Sequence, residues 1–107
     1  MVIFTYSCKL SVERLTFEWD GAKDLENIQK HGVSFFEAQA AFADTHRVIA
    51  EDLAHSVTER RYFCIGRVEA GILTVRFTLR PGRIRIIGAG FWRKGKAVYE
   101  AENPLHP

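Results

Sequence analysis

The chain has few of the features that would indicate a metal site, a disulfide framework or a membrane anchor. Two cysteines, Cys8 and Cys64, and four histidines occur in 107 residues, and none of them form a close pair at metal-ligand spacing. We therefore expect reduced thiols, and neither a metal nor another cofactor. No apolar run approaches the length of a bilayer span, and the N-terminus does not resemble a signal peptide. These absences favour a cytoplasmic protein that does not contact the membrane.

Acidic residues are scarce in the second half of the chain. Residues 60–107 hold three Asp/Glu against ten Lys/Arg, whereas residues 1–59 hold ten Asp/Glu against five Lys/Arg. Seven of the basic residues are arginines between Arg60 and Arg85. Arginine is suited to bidentate phosphate contacts, so this asymmetry indicates a polyanionic ligand such as nucleic acid on one side of the molecule.

The hydrophobic content, the length and the residue periodicity of the chain predict one α+β domain. A hydrophobic content of 47% rules out disorder, and the length suits a single core. Helical spacing with an Asp20 N-cap and Gly32 after the end predicts a helix over 21–31, its apolar positions including Leu25 and Ile28. The Ser34 to Glu37 capping box opens a second helix through Ala43.

The remaining pattern predicts an antiparallel sheet of about four strands, over 47–50, 61–68, 72–80 and 83–89, followed by a C-terminal helix from about Arg93 to Glu102. The two N-terminal helices should pack on the apolar face of the sheet, and the other face should carry arginines. Residues 1–16 form an extension with three interpretations: an extra strand over 2–6, a mobile tail, or an over-long gene start. Residues 17–103 form the domain and 104–107 a short tail.

The arginine-bearing face is the strongest chemical signal. Alternation places Arg76, Thr78 and Arg80 on one face of a strand, and the Pro81-Gly82 turn brings Arg83 and Arg85 beside them. Like charges this close repel unless an anion lies among them, which favours phosphate binding. The alternative is a solvated face whose arginines pair with the acidic N-terminal half.

A second group of residues combines acid–base and cationic side chains. His55 and Glu59 precede Arg60 and Arg61, and such a set could transfer protons at a phosphodiester while the cations stabilise the charge on phosphorus. The plainer alternative is a loop histidine beside a surface Glu–Arg pair.

Two further groups have structural alternatives. The last helix begins with Arg93, Lys94 and Lys96, and cations oppose the dipole at a helix N-terminus, which hints that they serve a ligand. Lys30 and His31 most simply end the first helix, where cations are favourable.

Taken together, these segments resemble the BrnT toxins, also called DUF497 proteins. The resemblance begins at Phe17-Glu18-Trp19-Asp20, continues through the Lys30-His31-Gly32-Val33-Ser34-Phe35 segment, and includes His55-Ser56, Glu59, Arg61-Tyr62, Thr78-x-Arg80 and Arg83-Ile84-Arg85. It covers about residues 17–100. Many family members read Ser-Ala-Arg where this chain has Gly88-Ala89-Gly90.

The resemblance implies a RelE-like fold and a metal-independent endoribonuclease acting as the toxin of a type II toxin–antitoxin pair. The implied partners are an RNA substrate and a small ribbon-helix-helix antitoxin, with operator DNA reached only through the complex. Two sets of residues follow. The catalytic candidates are His55, Glu59, Arg61, Arg80 and Arg85. The RNA-binding candidates are Arg76, Thr78, Arg83, Arg93, Lys94 and Lys96. A non-catalytic module that binds a partner or RNA is the alternative.

Overall fold

The computed structural model describes residues 2–4 and 16–105. Its strands are β1 (Val2–Phe4), β2 (Thr16–Glu18), β3 (Val48–Glu51), β4 (Arg61–Val68), β5 (Gly71–Arg80) and β6 (Arg83–Gly90). Its α-helices are α1 (Gly21–His31), α2 (Phe35–Ala38) and α3 (Arg93–Glu102). Short 3-10 segments cover Gln39–Ala43 and Leu53–His55. The α+β class is confirmed, and the predicted second helix is an α-turn continued as 3-10 helix.

The strands form one mixed sheet in the order β1-β3-β4-β5-β6-β2. The predicted antiparallel sheet of about four strands is therefore incomplete: β3 to β6 are the antiparallel meander, β1 adds to one edge, and β2 pairs in parallel with β6 at the other. Strands of three residues carry too little alternation to be recognised from sequence. Of the three interpretations of residues 1–16, a strand describes 2–4; Thr5, Tyr6 and Cys8 lie outside the described residues. A RelE-like relationship and the domain boundaries stay predictions.

Local signals explain where the helices begin and end. The Asp20 carboxylate accepts hydrogen bonds from the amides of Ala22 and Lys23, at 2.8 and 3.1 Å, and so caps α1. Gly32 ends that helix in the left-handed conformation, with φ of 70°. The Ser34–Glu37 capping box is formed in both directions. The tight connection between these caps fixes α2 against α1.

The main core lies between the α1–α2 side and one face of the sheet. It contains Phe35, Phe42, Val75, Phe77 and Ile86, all buried. The predicted apolar side of α1 is not buried: Leu25 is 63% and Ile28 40% exposed. Instead Asn27 is the buried residue of that helix, because its amide hydrogen-bonds the backbone of β6. Helix α1 is therefore rotated relative to the sequence prediction.

Helix α3 packs on the opposite face of the sheet from α1 and α2, so the face that was expected to carry the arginines also carries a helix. Its Tyr99 and Val98 join Ile65 and Phe63 in a smaller core. Gly95 permits the close approach, because a Cβ there would overlap the Thr74 hydroxyl. The face that carries the arginines is thus partly covered by a helix, and only its other end is open.

Two further observations concern the state of the cysteines and the length of the helices. Cys64 is a free, fully buried thiol whose pKa burial raises. None of the helices in the described ranges has the length and apolar content needed to span a bilayer.

Candidate nucleic-acid interface

The open end of the sheet collects most of the predicted site residues. Pairing across β4, β5 and β6 places Arg61, Thr78 and Arg85 in one row, and β2 extends that row with Glu18. The next row pairs Arg80 with Arg83. We call this end of the sheet the arginine face, defined by Arg61, Thr78, Arg80, Arg83 and Arg85.

Carboxylates from the N-terminal half pair with three of these arginines. Glu59 lies 2.9 Å from Arg80, and Glu18 lies 3.3 Å from Arg85 and 3.4 Å from Arg83. The second interpretation of the arginines, pairing with the acidic half, is thus realised in part. Four arginines against two carboxylates still leave a surplus of two positive charges, which suits an anionic ligand.

His55 is held beside this face by a partner that the sequence analysis missed. Its Nδ1 lies 2.8 Å from Oδ2 of Asp52, whose side chain is only 8% exposed, while the His55 ring is 59% exposed. A hydrogen on Nδ1 suits donation to the Asp52 carboxylate, and in that tautomer Nε2 carries no proton and can accept one. The only sequence signal was the i,i+3 spacing of an acid and a histidine.

Hydrogen bonds tie the loop that carries His55 and Glu59 to the ends of the strands. The Asp52 amide donates to the Arg61 carbonyl at 2.7 Å, and Ser56 Oγ accepts from the Arg61 amide at 3.0 Å. Thr78 Oγ1 donates to the Arg60 carbonyl at 2.9 Å. Thr78 is therefore buried with its hydroxyl bound to the backbone, and the loop is anchored on Arg61, a member of the arginine row.

The other predicted RNA-binding residues lie elsewhere. Arg93, Lys94 and Lys96 are exposed on the first turn of α3, which packs near Thr74. Thr74 and Arg80 are six residues apart on β5, or roughly 20 Å at the rise of a strand. The structure therefore divides the predicted site into an arginine face and a separate group on α3, with Arg76 between them.

The departure from the family pattern has a physical reason at Gly90, whereas nothing in the structure requires glycine at position 88. A Cβ at Gly90 would come within 2.7 Å of the Trp92 ring, so that ring occupies the space of any side chain at 90. Gly88 lies opposite Arg76 and in contact range of its side chain. Within residues 2–4 and 16–105 no group of three His, Cys, Asp or Glu side chains could hold a metal ion.

Fold and site together define a small α+β protein with a basic surface of the kind that binds phosphate groups. Residues 19–95 match the family model described as the ribonuclease toxin BrnT of type II toxin–antitoxin systems. The chain therefore belongs to the BrnT family, which makes it a type II toxin of the ribonuclease class with an RNA substrate and an antitoxin protein as partner. None of the curated proteins compared matches the sequence.

Proposed function

We propose that this BrnT protein is a metal-independent endoribonuclease that cleaves RNA on the arginine face by general acid–base chemistry. The observation that supports this most strongly is the Asp52–His55 pair, which presents an oriented imidazole beside the row of Arg61 and Arg85. Transfer of a phosphoryl group to a neighbouring hydroxyl requires a base, a set of cations and an open surface.

In the proposed reaction, a ribose 2′-hydroxyl attacks the adjacent phosphorus and the bond to the 5′-oxygen of the next nucleotide breaks. His55 accepts the proton of the 2′-hydroxyl, and the departing 5′-oxygen takes up a proton from water, so the products are a 2′,3′-cyclic phosphate and a 5′-hydroxyl end. Arg61, Arg80 and Arg85 stabilise the negative charge that builds on the phosphoryl oxygens.

Glu59 has two roles open to it. As the ion-pair partner of Arg80 it orients that guanidinium, and when RNA displaces it from Arg80 it becomes a second proton acceptor. Arg76, Arg83, Arg93, Lys94 and Lys96 would contact the RNA chain on either side of the reacting phosphate.

The finer description of the partner is also part of the proposal. We expect a ribbon-helix-helix antitoxin that neutralises the toxin, with operator DNA bound only through the complex, as the resemblance implies. A cytoplasmic location follows from the need to meet both RNA and the antitoxin.

The carboxylates paired with Arg80, Arg83 and Arg85 favour a second candidate function. If those pairs persist, the arginine face serves a partner-binding module without catalysis. The two functions differ in one observable, which is cleavage of RNA by the protein alone.

The deciding experiment incubates purified protein with total RNA in EDTA, beside His55→Ala and Arg80→Ala variants of confirmed folding. We expect cleavage by the wild type, leaving 5′-hydroxyl ends, and a loss of at least 100-fold in each variant, in line with removal of a proton-transfer group. Arg67→Gln is the control, because it removes an exposed arginine that stacks on Tyr99 outside the arginine face. Equal cleavage by all four proteins would place the active site elsewhere, and no cleavage by any would favour the binding module.

A further inference from the structure

A second basic site lies outside the arginine face, in an open cleft of about 250 Å³ between α1 and β6. Lys23, Lys30 and His31 line it from the helix, and Arg76 and Trp92 line it from the sheet side. We call it the α1–β6 cleft, defined by these five residues. The sequence analysis assigned Lys30 and His31 only to the end of a helix.

The rotation of α1 creates this cleft. The Asn27 amide donates to the carbonyls of Val33 and Ala89 at 2.8 and 2.9 Å and accepts from the Ala89 amide at 3.2 Å. Residues three or four positions apart lie on the same side of a helix, so Asn27 shares its side of α1 with Lys23, Lys30 and His31. The buried amide therefore turns three basic side chains toward β6.

Arg76 differs from the other arginines of its strand pair. Arg80, Arg83 and Arg85 each have a carboxylate partner, whereas the half-buried Arg76 has none among the residues that the structure describes. The register between β5 and β6 shifts at Arg76/Phe77, so that Arg76 faces Gly88 and Ile87 is the extra residue. A bulge of this kind redirects side chains, and here the guanidinium lies over the glycine toward the cleft.

Charge and shape both indicate a nucleotide as the ligand. Among the described residues that line the cleft, Glu26 is the one carboxylate, and it is bound to Lys30 at 2.5 Å. Lys23 lies within electrostatic reach of Glu26 and Asp20, whereas Arg76 has no ion pair with a described carboxylate. Trp92 forms an aromatic wall, with His31 edge-on to it at 5.2 Å between ring centroids. Cations beside an aromatic surface are the combination that holds the phosphate and base of single-stranded RNA.

We propose that the α1–β6 cleft is an RNA-binding subsite that takes one unpaired nucleotide, with Arg76 and Lys23 on its phosphate and Trp92 against its base. The inference rests on the proposed function, because it assumes that RNA crosses the arginine face. It extends that function by assigning the next stretch of the RNA to a pocket that selects single strands over duplex.

The test measures the fluorescence of Trp92 in a Trp19→Phe background during titration with a ten-nucleotide 2′-O-methyl RNA, which cannot be cleaved by 2′-hydroxyl attack. We expect quenching with saturable binding, at least ten-fold weaker binding in Arg76→Gln, and near-normal binding in Arg67→Gln. Circular dichroism melting confirms that each variant is folded. A decaglutamate peptide serves as a second probe, because it supplies negative charge without bases.

Three results would overturn the inference: no change in Trp92 fluorescence with RNA, equal weakening by Arg76→Gln and Arg67→Gln, or equal quenching by decaglutamate. The last would make the cleft a surface for an acidic protein segment. Failure here is distinct from failure of the proposed function, because RNA cleavage in EDTA is scored separately. If RNA is cleaved but the fluorescence of Trp92 is not quenched, the subsite proposal is wrong and the proposed function stands. If the fluorescence is quenched but RNA is not cleaved, the subsite is supported and the ribonuclease activity is contradicted.

Discussion

Asp44 is a single residue on which three parts of the chain converge. Its carboxylate accepts hydrogen bonds from the Tyr99 hydroxyl at 2.5 Å and from the amides of Arg67 and His46 at 2.7 and 2.8 Å. Burial alone would raise the pKa of Asp44, but these three donors outweigh it and hold the pKa below its ordinary value. Burial and the Asp44 hydrogen bond raise the pKa of Tyr99 to about 12.

The lowered pKa of Asp44 determines how the stability of the protein depends on pH. A lowered pKa in the folded state adds stability that is present above the ordinary aspartate range and is lost as pH falls through the folded value. We expect Asp44→Asn to lower the free energy of unfolding by about 1–3 kcal/mol at pH 7, and by less near pH 3. Urea titrations at both pH values measure this, with Tyr99→Phe as the milder control. If Asp44→Asn lowers the free energy of unfolding by the same amount at both pH values, the lowered pKa of Asp44 does not contribute to stability.

The candidate catalytic side chains were predictable from sequence only by type. The arginines stand out because Glu69 is the one acidic residue between positions 60 and 97, and His55 and Glu59 stand out because they can transfer protons next to Arg60 and Arg61. Some of the partners that orient these side chains come from distant segments. Glu18 is 67 residues from Arg85, and only the parallel β2–β6 pairing brings them together. The pairing of Asp52 with His55 was missed although the two residues are close in sequence. One turn of 3-10 helix brings them together, and such a short turn leaves no periodic pattern in the sequence.

Among the elements, α1 shows how a buried polar residue can override apolar spacing. Leu25 and Ile28 have the spacing of a core-facing stripe, yet Asn27 is buried because its amide satisfies three backbone groups. Each unsatisfied buried polar group costs about 1–3 kcal/mol, so losing all three hydrogen bonds would cost more than the roughly 1.5–3 kcal/mol gained by burying one Leu side chain. The helix bounds were predictable from its caps, whereas its rotation was decided by a contact with β6.

This reasoning predicts opposite outcomes for two neighbouring substitutions in α1. Asn27→Ala should destabilise the protein by about 2–3 kcal/mol, because the Val33 and Ala89 carbonyls and the Ala89 amide lose their partner. Leu25→Ala should change stability by about 0.5 kcal/mol or less, as expected for an exposed position. Chemical denaturation of both variants compares them. A larger effect at Leu25 than at Asn27 would show that the helix packs on the face that its apolar spacing indicates.

At the level of the whole molecule, the charge split along the chain becomes a basic surface that the protein's own carboxylates neutralise in part. The acidic half supplies Glu18 and Glu59 to arginines of the basic half. Under the proposed function, RNA would compete with these carboxylates for the arginines. The sequence made the excess of arginine on one face predictable through alternation and the hairpin at Pro81-Gly82. It could not show which arginines are paired, since that depends on the edge strand β2 and the loop before β4.

Competition of this kind predicts that removing Glu18 strengthens RNA binding. Glu18→Gln frees Arg83 and Arg85 for phosphate, so affinity for 2′-O-methyl RNA should rise several-fold and its dependence on salt should become steeper. Glu69→Gln makes the same change in net charge at an exposed turn away from the arginine face, and it should alter both quantities little. Fluorescence anisotropy of labelled RNA across a salt series measures the two variants side by side. If they give the same affinity and the same slope, Arg83 and Arg85 do not contact phosphate, and their pairs with Glu18 serve only to hold β2 on the sheet.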